Sequence, residues 1–349
     1  MRSSYKKEDV IWLLKDITGL VEPSPAEERE RLIQSGRHYC EMLPLEYVPS
    51  TVYMKTYEEA LRHFAAPVAA AVEKLSEKIM KSRGNSVVLV SLARAGTPVG
   101  ILIKRCIRQK YGISLPHYSL SIIRGRGIDH NAMAYLLSRY QAKQLLFVDG
   151  WIGKGAILGE LEKETKAYEG VSSELAVVAD PANMTELCGT HEDILIPSSC
   201  LNSTVSGLVS RTFLRNDIIG PKDFHGAVFY GELADSDLSE HFIQTIEAEF
   251  GQKYTIEERL VDGRGIDEVK DIALRFEIQD LNFIKPGIGE TTRVLLRRIP
   301  WKILIRDGTQ NDPSLTHLIR LAEEKQVPIE FYPLRHYKAC GLIRKLADI

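Results

Sequence analysis

Cysteine is sparse. The 349 residues hold five, Cys40, Cys106, Cys188, Cys200 and Cys340, and none stands in a Cys-x-x-Cys pair. An odd, scattered set argues against a zinc ribbon and against a disulfide framework, and points to reduced thiols. Long apolar runs are missing too. The longest charge-free run, Ile194 to Ser210, contains Pro197, Asn202 and six hydroxyl residues, so a bilayer would leave polar groups unpaired and no membrane span is expected. Neither sign of charge dominates: the formal net charge is -2, which excludes a global attraction to nucleic acid or membrane. Met1 to Glu8 places no apolar stretch after its charges, unlike a signal peptide, so the expected compartment is the cytoplasm. No internal repeat or low-complexity tract is visible.

With 44% hydrophobic residues the chain is long enough for two domains and a sizeable core. The first 80 residues read as mainly helical, with a helix from Glu58 to Lys81 carrying Leu61, Val68, Val72, Leu75 and Ile79 at helical spacing. Apolar strand-like runs at 86–92, 117–123, 145–149, 174–179 and 193–197 then alternate with helical patterns. That rhythm predicts a doubly wound, mainly parallel α/β sheet. The expected division is a helical N-terminal extension (1–80), an α/β domain (81–250), a polar connecting segment (251–285) and a small α/β/α module (286–349). The module is read as a helix containing Thr292 to Arg298, a strand at Lys302 to Ile305, a helix at Ser314 to Lys325 and a strand at Pro328 to Tyr332. From Lys285 to Ile349 there are 12 Lys or Arg against 7 Asp or Glu, an excess of 5 in a chain that is -2 overall. Such segregation favours a polyanionic partner for the module.

The segment Leu145 to Leu158 is the richest in chemistry. An apolar run ends in Asp149, passes through the turn Gly150, Gly153, Lys154 and Gly155, and opens an apolar helical pattern at Ala156. A strand, a Gly-rich turn and a helix start are the layout of a phosphate cradle. Any tight strand-to-helix turn also favours glycine. Arg94-Ala95-Gly96-Thr97 forms a second, small-residue cradle after the strand at 86–92. Two cradles on one sheet suit a doubly phosphorylated ligand. Between them, Arg124-Gly125-Arg126-Gly127 reads as a mobile basic loop whose guanidinium forks could meet phosphate oxygens. A hydroxyl-rich turn with Ser203 and Thr204 is expected at the same sheet edge.

This order resembles the type I phosphoribosyltransferases, with a pyrophosphate loop, a flexible hood and an acidic strand end before a phosphate loop. Gly150 replaces the second acid and Ile152 stands where a threonine is common. A closer resemblance spans most of the chain: Leu32 to Tyr39, Ser91 to Pro98, His117 to Ser119, Phe147 to Trp151 and Leu201 to Leu208 are similar to the bacterial StiP family. That family is described as phosphoribosyltransferase-like, linked to tellurite and stress-response operons, and by name as cysteine proteases. Leu295 to Trp301 and Tyr337 to Ile343 similarly resemble a Pelota-like RNA-binding domain.

The resemblance implies a phosphoribosyltransferase acting in a stress response. Phosphoribosyl pyrophosphate or a related nucleotide would be bound with Mg through its pyrophosphate and transferred to a base or nucleoside-like acceptor. Asp149 would hold the ribose, and Lys154 with the Gly153, Gly155 and Ala156 amides the 5′-phosphate. Arg94, Ala95, Gly96 and Thr97 would hold pyrophosphate, Arg124 and Arg126 would screen the leaving group, and Ser203 and Thr204 would bind phosphate or the acceptor. RNA is the expected partner of 286–349, with no resident metal and a homodimer left open. Two alternatives stand beside this. The missing acid at Gly150 is compatible with a non-catalytic nucleotide- or RNA-binding regulator. A cysteine protease would use Cys200 as nucleophile, with His191, His117 or His225 as its base.

Overall fold

Leu145 to Val148 begin the strand Leu145–Trp151 and are fully buried in the computed structural model, which describes residues 1–46, 50–258 and 261–344. Val88–Leu92 and Leu175–Ala179 flank this strand, both parallel to it. His117–Leu120 and then Ile11–Leu13 extend the sheet on one side, and Cys188–Thr190 forms the other edge. All six strands are parallel. Strands covered on both faces need near-continuous apolar sequence, which is what 88–92 and 175–179 supply.

Helices Thr51–Arg83 and Gly96–Tyr111 cover one face, packing Val68, Val72, Ile101 and Leu102 with Leu89, Leu146 and Val148. On the other face His130–Leu137 and Ala156–Thr165 bury Met133, Leu136 and Leu161 with Val90 and Phe147. The 33-residue helix begins earlier than its apolar period suggests, because the Ser50 side chain accepts the Tyr53 N–H and caps it.

Two expectations about elements need correction. The first 80 residues are not only a helical extension: Ile11–Leu13 pairs with His117–Leu120 in the main sheet. Residues 193–197 do not form a strand. Asp193 turns its side chain to another part of the molecule, and Pro197 opens a short 3-10 turn, Pro197–Cys200. The edge strand is Cys188–Thr190, which approaches the long helix at Gly189 so closely that a Cβ would strike the Ala71 carbonyl. Glycine is required there by contact.

A second sheet runs in the order Ile284–Pro286, Ala339–Ile343, Pro300–Arg306, Ile329–Tyr332, with two antiparallel pairings and one parallel pairing. The expected helix, strand, helix and strand are present as Ile288–Arg297, Pro300–Arg306, Thr316–Glu324 and Ile329–Tyr332. Missing from the sequence reading are Ile284–Pro286 and the fully buried Ala339–Ile343. The stretch read as a polar connector contains helix Gly265–Arg275, whose Val269, Ile272 and Ala273 form a narrow buried stripe. Tyr337 donates its hydroxyl to the Gly153 carbonyl at 2.7 Å, and Arg298 pairs with Glu30 at 2.5 and 2.9 Å. These bonds set the two sheets around a shared cleft.

Candidate functional site at the cleft between the sheets

The cleft encloses about 1360 Å³. Its floor is the turn after Leu145–Trp151, one wall is helix Ala26–Gln34 with the following His38 and Tyr39, and the opposite wall is Lys285 with helix Ile288–Arg297. Ala95, Arg124, Asp149, Gly153, Lys154, Gly155 and Ala156 all line it. Seven of the expected site residues are thus brought together, as the sheet-edge argument implied.

Their partners differ from the expected ones. The Lys154 ammonium donates to the carbonyls of Leu281 and Ile284, the latter at 2.9 Å, so residues beside the second sheet occupy it. Burial lowers its pKa to about 7. Gly153 faces Pro286 O and Glu290, and Gly155, at φ +82°, faces Met184. Asp149 accepts its neighbour's Gly150 N–H at 2.7 Å, and burial pushes its carboxyl up to about 6. Gly150 itself lies within the strand.

Arg94 is not a cleft group. It is buried, paired with Glu46 at 3.0 Å and bonded to Val209 O at 2.6 Å. Ser203 gives both its N–H and its hydroxyl to the same Glu46 carboxylate, and Thr204 is buried, its carbonyl accepting Leu238 N–H at 2.7 Å. Thr97 is buried against Ser119, and Gly96 packs on Val148 O, where a side chain would collide. The basic loop is a tight hairpin: Ile123 pairs with Gly127, Arg124 donates to Asn282 Oδ1 at 2.6 Å, and Arg126 pairs with Glu41 at 2.9 Å, away from the cleft.

Cys200 is fully buried in the main core, and burial raises its thiol to about 12. None of its expected bases reaches it. His117 sits between Ser91 Oγ and Asp9 O, His225 bonds Ser121 Oγ, and His191 faces Cys188. A thiol so placed behaves as a small apolar side chain.

The thiol that meets a histidine at the cleft is Cys40. Its Sγ lies 3.0 Å from His38 Nδ1, and His38 Nε2 is 3.1 Å from Arg124 O. Because a carbonyl can only accept, Nε2 carries the proton and Nδ1 faces sulfur as an acceptor. Burial raises Cys40 to about 11, with Arg126 opposing the rise, and burial lowers His38. His38 lines the cleft; Cys40 stands behind it in the turn Tyr39–Glu41. This pair was not among the expected site residues, although His38-Tyr39-Cys40 overlaps the end of the segment Leu32 to Tyr39. A second pair lies at the sheet edge. Cys188 Sγ is 3.5 Å from His191 Nε2, and His191 Nδ1 is 3.1 Å from Asp180 O and 3.8 Å from Asp180 Oδ2.

The fold is an α/β protein with a mainly parallel six-stranded sheet and a smaller mixed sheet. Residues 3–247 match the family described as "Tellurite-like stress resistance cysteine protease StiP", and residues 263–345 match the PELOTA RNA binding domain. "Cysteine protease StiP" of Acinetobacter baylyi is 34% identical over 364 residues, covering 98% of this chain and 94% of that protein. The chain belongs to the StiP family. Among solved structures, a hypoxanthine-guanine phosphoribosyltransferase of Bacillus anthracis is similar over 37% of this chain and 71% of its own, at 14% identity and a TM-score of 0.24. An HGPRT-ase of Leishmania tarentolae in complex with GMP gives 13% identity, the same coverage and the same TM-score.

These comparisons overturn phosphoribosyl transfer as the main activity, because the family and the curated relative are both named for a cysteine protease. The geometry supplies a physical reason, since Lys154 and Arg94 are satisfied by the protein's own oxygens. Mg was expected only through the pyrophosphate. Among the described residues no group of three or more His, Cys, Asp or Glu is placed to hold a metal, and no helix is long and apolar enough to cross a membrane.

Proposed function

We propose that this protein is a thiol-dependent peptidase with Cys40 as nucleophile and His38 as base, joined to a module that binds RNA. The observation that carries the first part is the 3.0 Å approach of Cys40 Sγ to an unprotonated His38 Nδ1, in a residue that lines a cleft of about 1360 Å³. The family and relative names agree with it. The match over 263–345 and the local basic excess support the second part.

In the resting state the pair is a neutral thiol and a neutral imidazole, because burial disfavours both charges. Cys40 is buried behind His38, so this chemistry requires the turn Tyr39–Glu41 to bring its sulfur to the cleft. Sulfur then attacks the peptide carbonyl carbon while its proton passes to His38 Nδ1. As the C–N bond breaks, that proton leaves with the amine. Water next attacks the thioester carbon and gives its proton to His38, which returns it to sulfur as the acid departs. Arg124 O keeps the ring in the required tautomer throughout.

A second reading places the nucleophile at Cys188, favoured by one observation: sulfur, imidazole and Asp180 stand in nucleophile, base and orienter sequence. Hydrolysis of an unfolded fluorogenic protein substrate by Cys40→Ser, Cys188→Ser and Cys200→Ser tests both. The expected result is loss in Cys40→Ser alone. Loss in Cys188→Ser alone moves the nucleophile to the sheet edge, and full activity in all three excludes a thiol mechanism at these positions.

A further inference from the structure

The cleft is lined by ten Lys or Arg and four Asp or Glu, although the whole chain is slightly acidic. Several of the cations are internally matched, as with Arg298 on Glu30 and Arg293 on Glu290. Others are not. Among the described residues the Lys285 ammonium makes no hydrogen bond or ion pair, and Glu290 is the acid that acts on it most strongly. Arg297 uses Nε on Asn202 Oδ1; Arg94, Arg293 and Arg211 act on it as like charges, with Glu46 the acid that opposes them. Arg211 donates through Nη2 to Tyr39 O and Met42 O but, among the described residues, faces no acid there, and its Nε is buried with no partner. A half-buried concentration of like charges is costly for a folded chain on its own and is relieved by an anion entering among them.

Three features favour single-stranded RNA over an acidic peptide. The unmatched cations come largely from Lys285 and the helix Ile288–Arg297, inside the stretch that matches an RNA-binding domain. Aromatic rings of Tyr39 and Phe283 line the same cleft, while Trp151 is covered by Arg293, and cations beside stacking surfaces are what single strands use. The volume of about 1360 Å³ exceeds the roughly 300–1,000 Å³ of small-molecule pockets, as a polymer segment requires.

We propose that the cleft between the two sheets, rather than the outer surface of the C-terminal module, is where a single-stranded RNA segment lies, with its phosphates against Lys285, Arg124 and Arg297. This rests on the reading of 263–345 as an RNA-binding module, and it is independent of the thiol chemistry. It places RNA beside His38, so bound RNA would cover the approach to Cys40.

The test is fluorescence anisotropy of the full chain with a labelled oligouridylate of about eight nucleotides, at low and moderate salt. Lys285→Gln and Arg124→Ala are each expected to weaken binding about tenfold and to lower the salt slope by about one. Exposed Lys325→Ala, outside the cleft, should bind as the unaltered protein does. The Arg124 side chain is half-buried and, among the described residues, hydrogen-bonded to Asn282 alone, so its variant tests the cleft even where Lys285→Gln fails to fold. Unchanged binding in both cleft variants, with loss in Lys325→Ala, would place RNA elsewhere on the module: the cleft assignment falls and RNA binding stands. No binding by the unaltered protein overturns both. Displacement of the RNA by an equal concentration of oligoglutamate would assign the cleft to acidic peptides instead.

Discussion

The carboxylate of Asp193 accepts the backbone N–H of Ile288, 3.1 and 3.2 Å from its two oxygens, and that of Lys338 at 2.8 Å. A residue that follows the edge of the six-stranded sheet thereby caps the helix whose far end carries Arg297 into the cleft. Carboxylates suit helix N-termini because they satisfy orphan donors and meet the positive end of the dipole. The cleft's geometry is therefore tied to one buried acid.

That acid gives stability a pH dependence. Burial raises Asp193 to about 6 from its ordinary 3.8, so between these values the folded state holds a proton that the unfolded state has lost. The contribution of the group falls as pH rises through that window and is constant above it. Relative to Asp193→Asn, the unaltered protein should lose a few degrees of Tm between about pH 4 and 6, measured by scanning calorimetry. An offset that is the same at every pH would show that Asp193 does not titrate there.

Glu46 neutralises Arg94 in a pair whose side chains are 2% and 7% exposed. Glu46→Ala leaves a buried guanidinium uncompensated, which should cost about 3–5 kcal/mol, whereas Glu46→Leu with Arg94→Met should recover most of that. Urea denaturation of the single and double variants measures it. A single variant as stable as the double would mean that solvent reaches Arg94.

Cys200→Ala removes one sulfur from a packed core and should destabilise the protein by about 1–2 kcal/mol, with peptidase activity unchanged at temperatures where it is folded. Tyr53 is bonded to the backbone carbonyl of Cys200, so that contact survives the substitution. Loss of activity in a folded Cys200→Ala protein would restore Cys200 as a candidate nucleophile.

The apolar runs at 88–92, 145–148 and 175–179 were legible because a strand buried on both faces has little freedom of composition. Asp149, the Gly153 to Ala156 turn and Ala95 were placed at one sheet edge for the same reason. What failed depended on partners distant in sequence. Lys154 reads as a phosphate ligand until Leu281 and Ile284 are seen to accept from it, and Arg94 until Glu46 lies beside it. Ala339–Ile343 escaped because five residues between turns show no period, and its place at the centre of the second sheet is set by neighbours 34–43 and 54–58 residues away. Cys200 drew attention through its hydroxyl-rich surroundings, but those hydroxyls serve turns and Glu46. Composition gave no sign of whether a thiol would meet a histidine.

The His38–Cys40 pair fixes the form of the rate profile. Burial holds His38 below its ordinary 6.5 and Cys40 at about 11, and the charged groups acting on the two include Arg124, Arg126, Glu41 and Arg211. A neutral imidazole is the active base, so kcat/KM should rise as His38 loses its proton, with an acid limb below pH 6.5, and stay level through neutrality. Such a limb differs from the bell of a preformed thiolate and imidazolium, which declines as the imidazolium deprotonates. His38→Asn should abolish the limb and lower kcat by about 10²–10⁴-fold with little change in KM. A decline above pH 7 in the unaltered protein would identify an ion pair instead, and an intact limb in His38→Asn would assign the base to another residue, with His191 next to be tested.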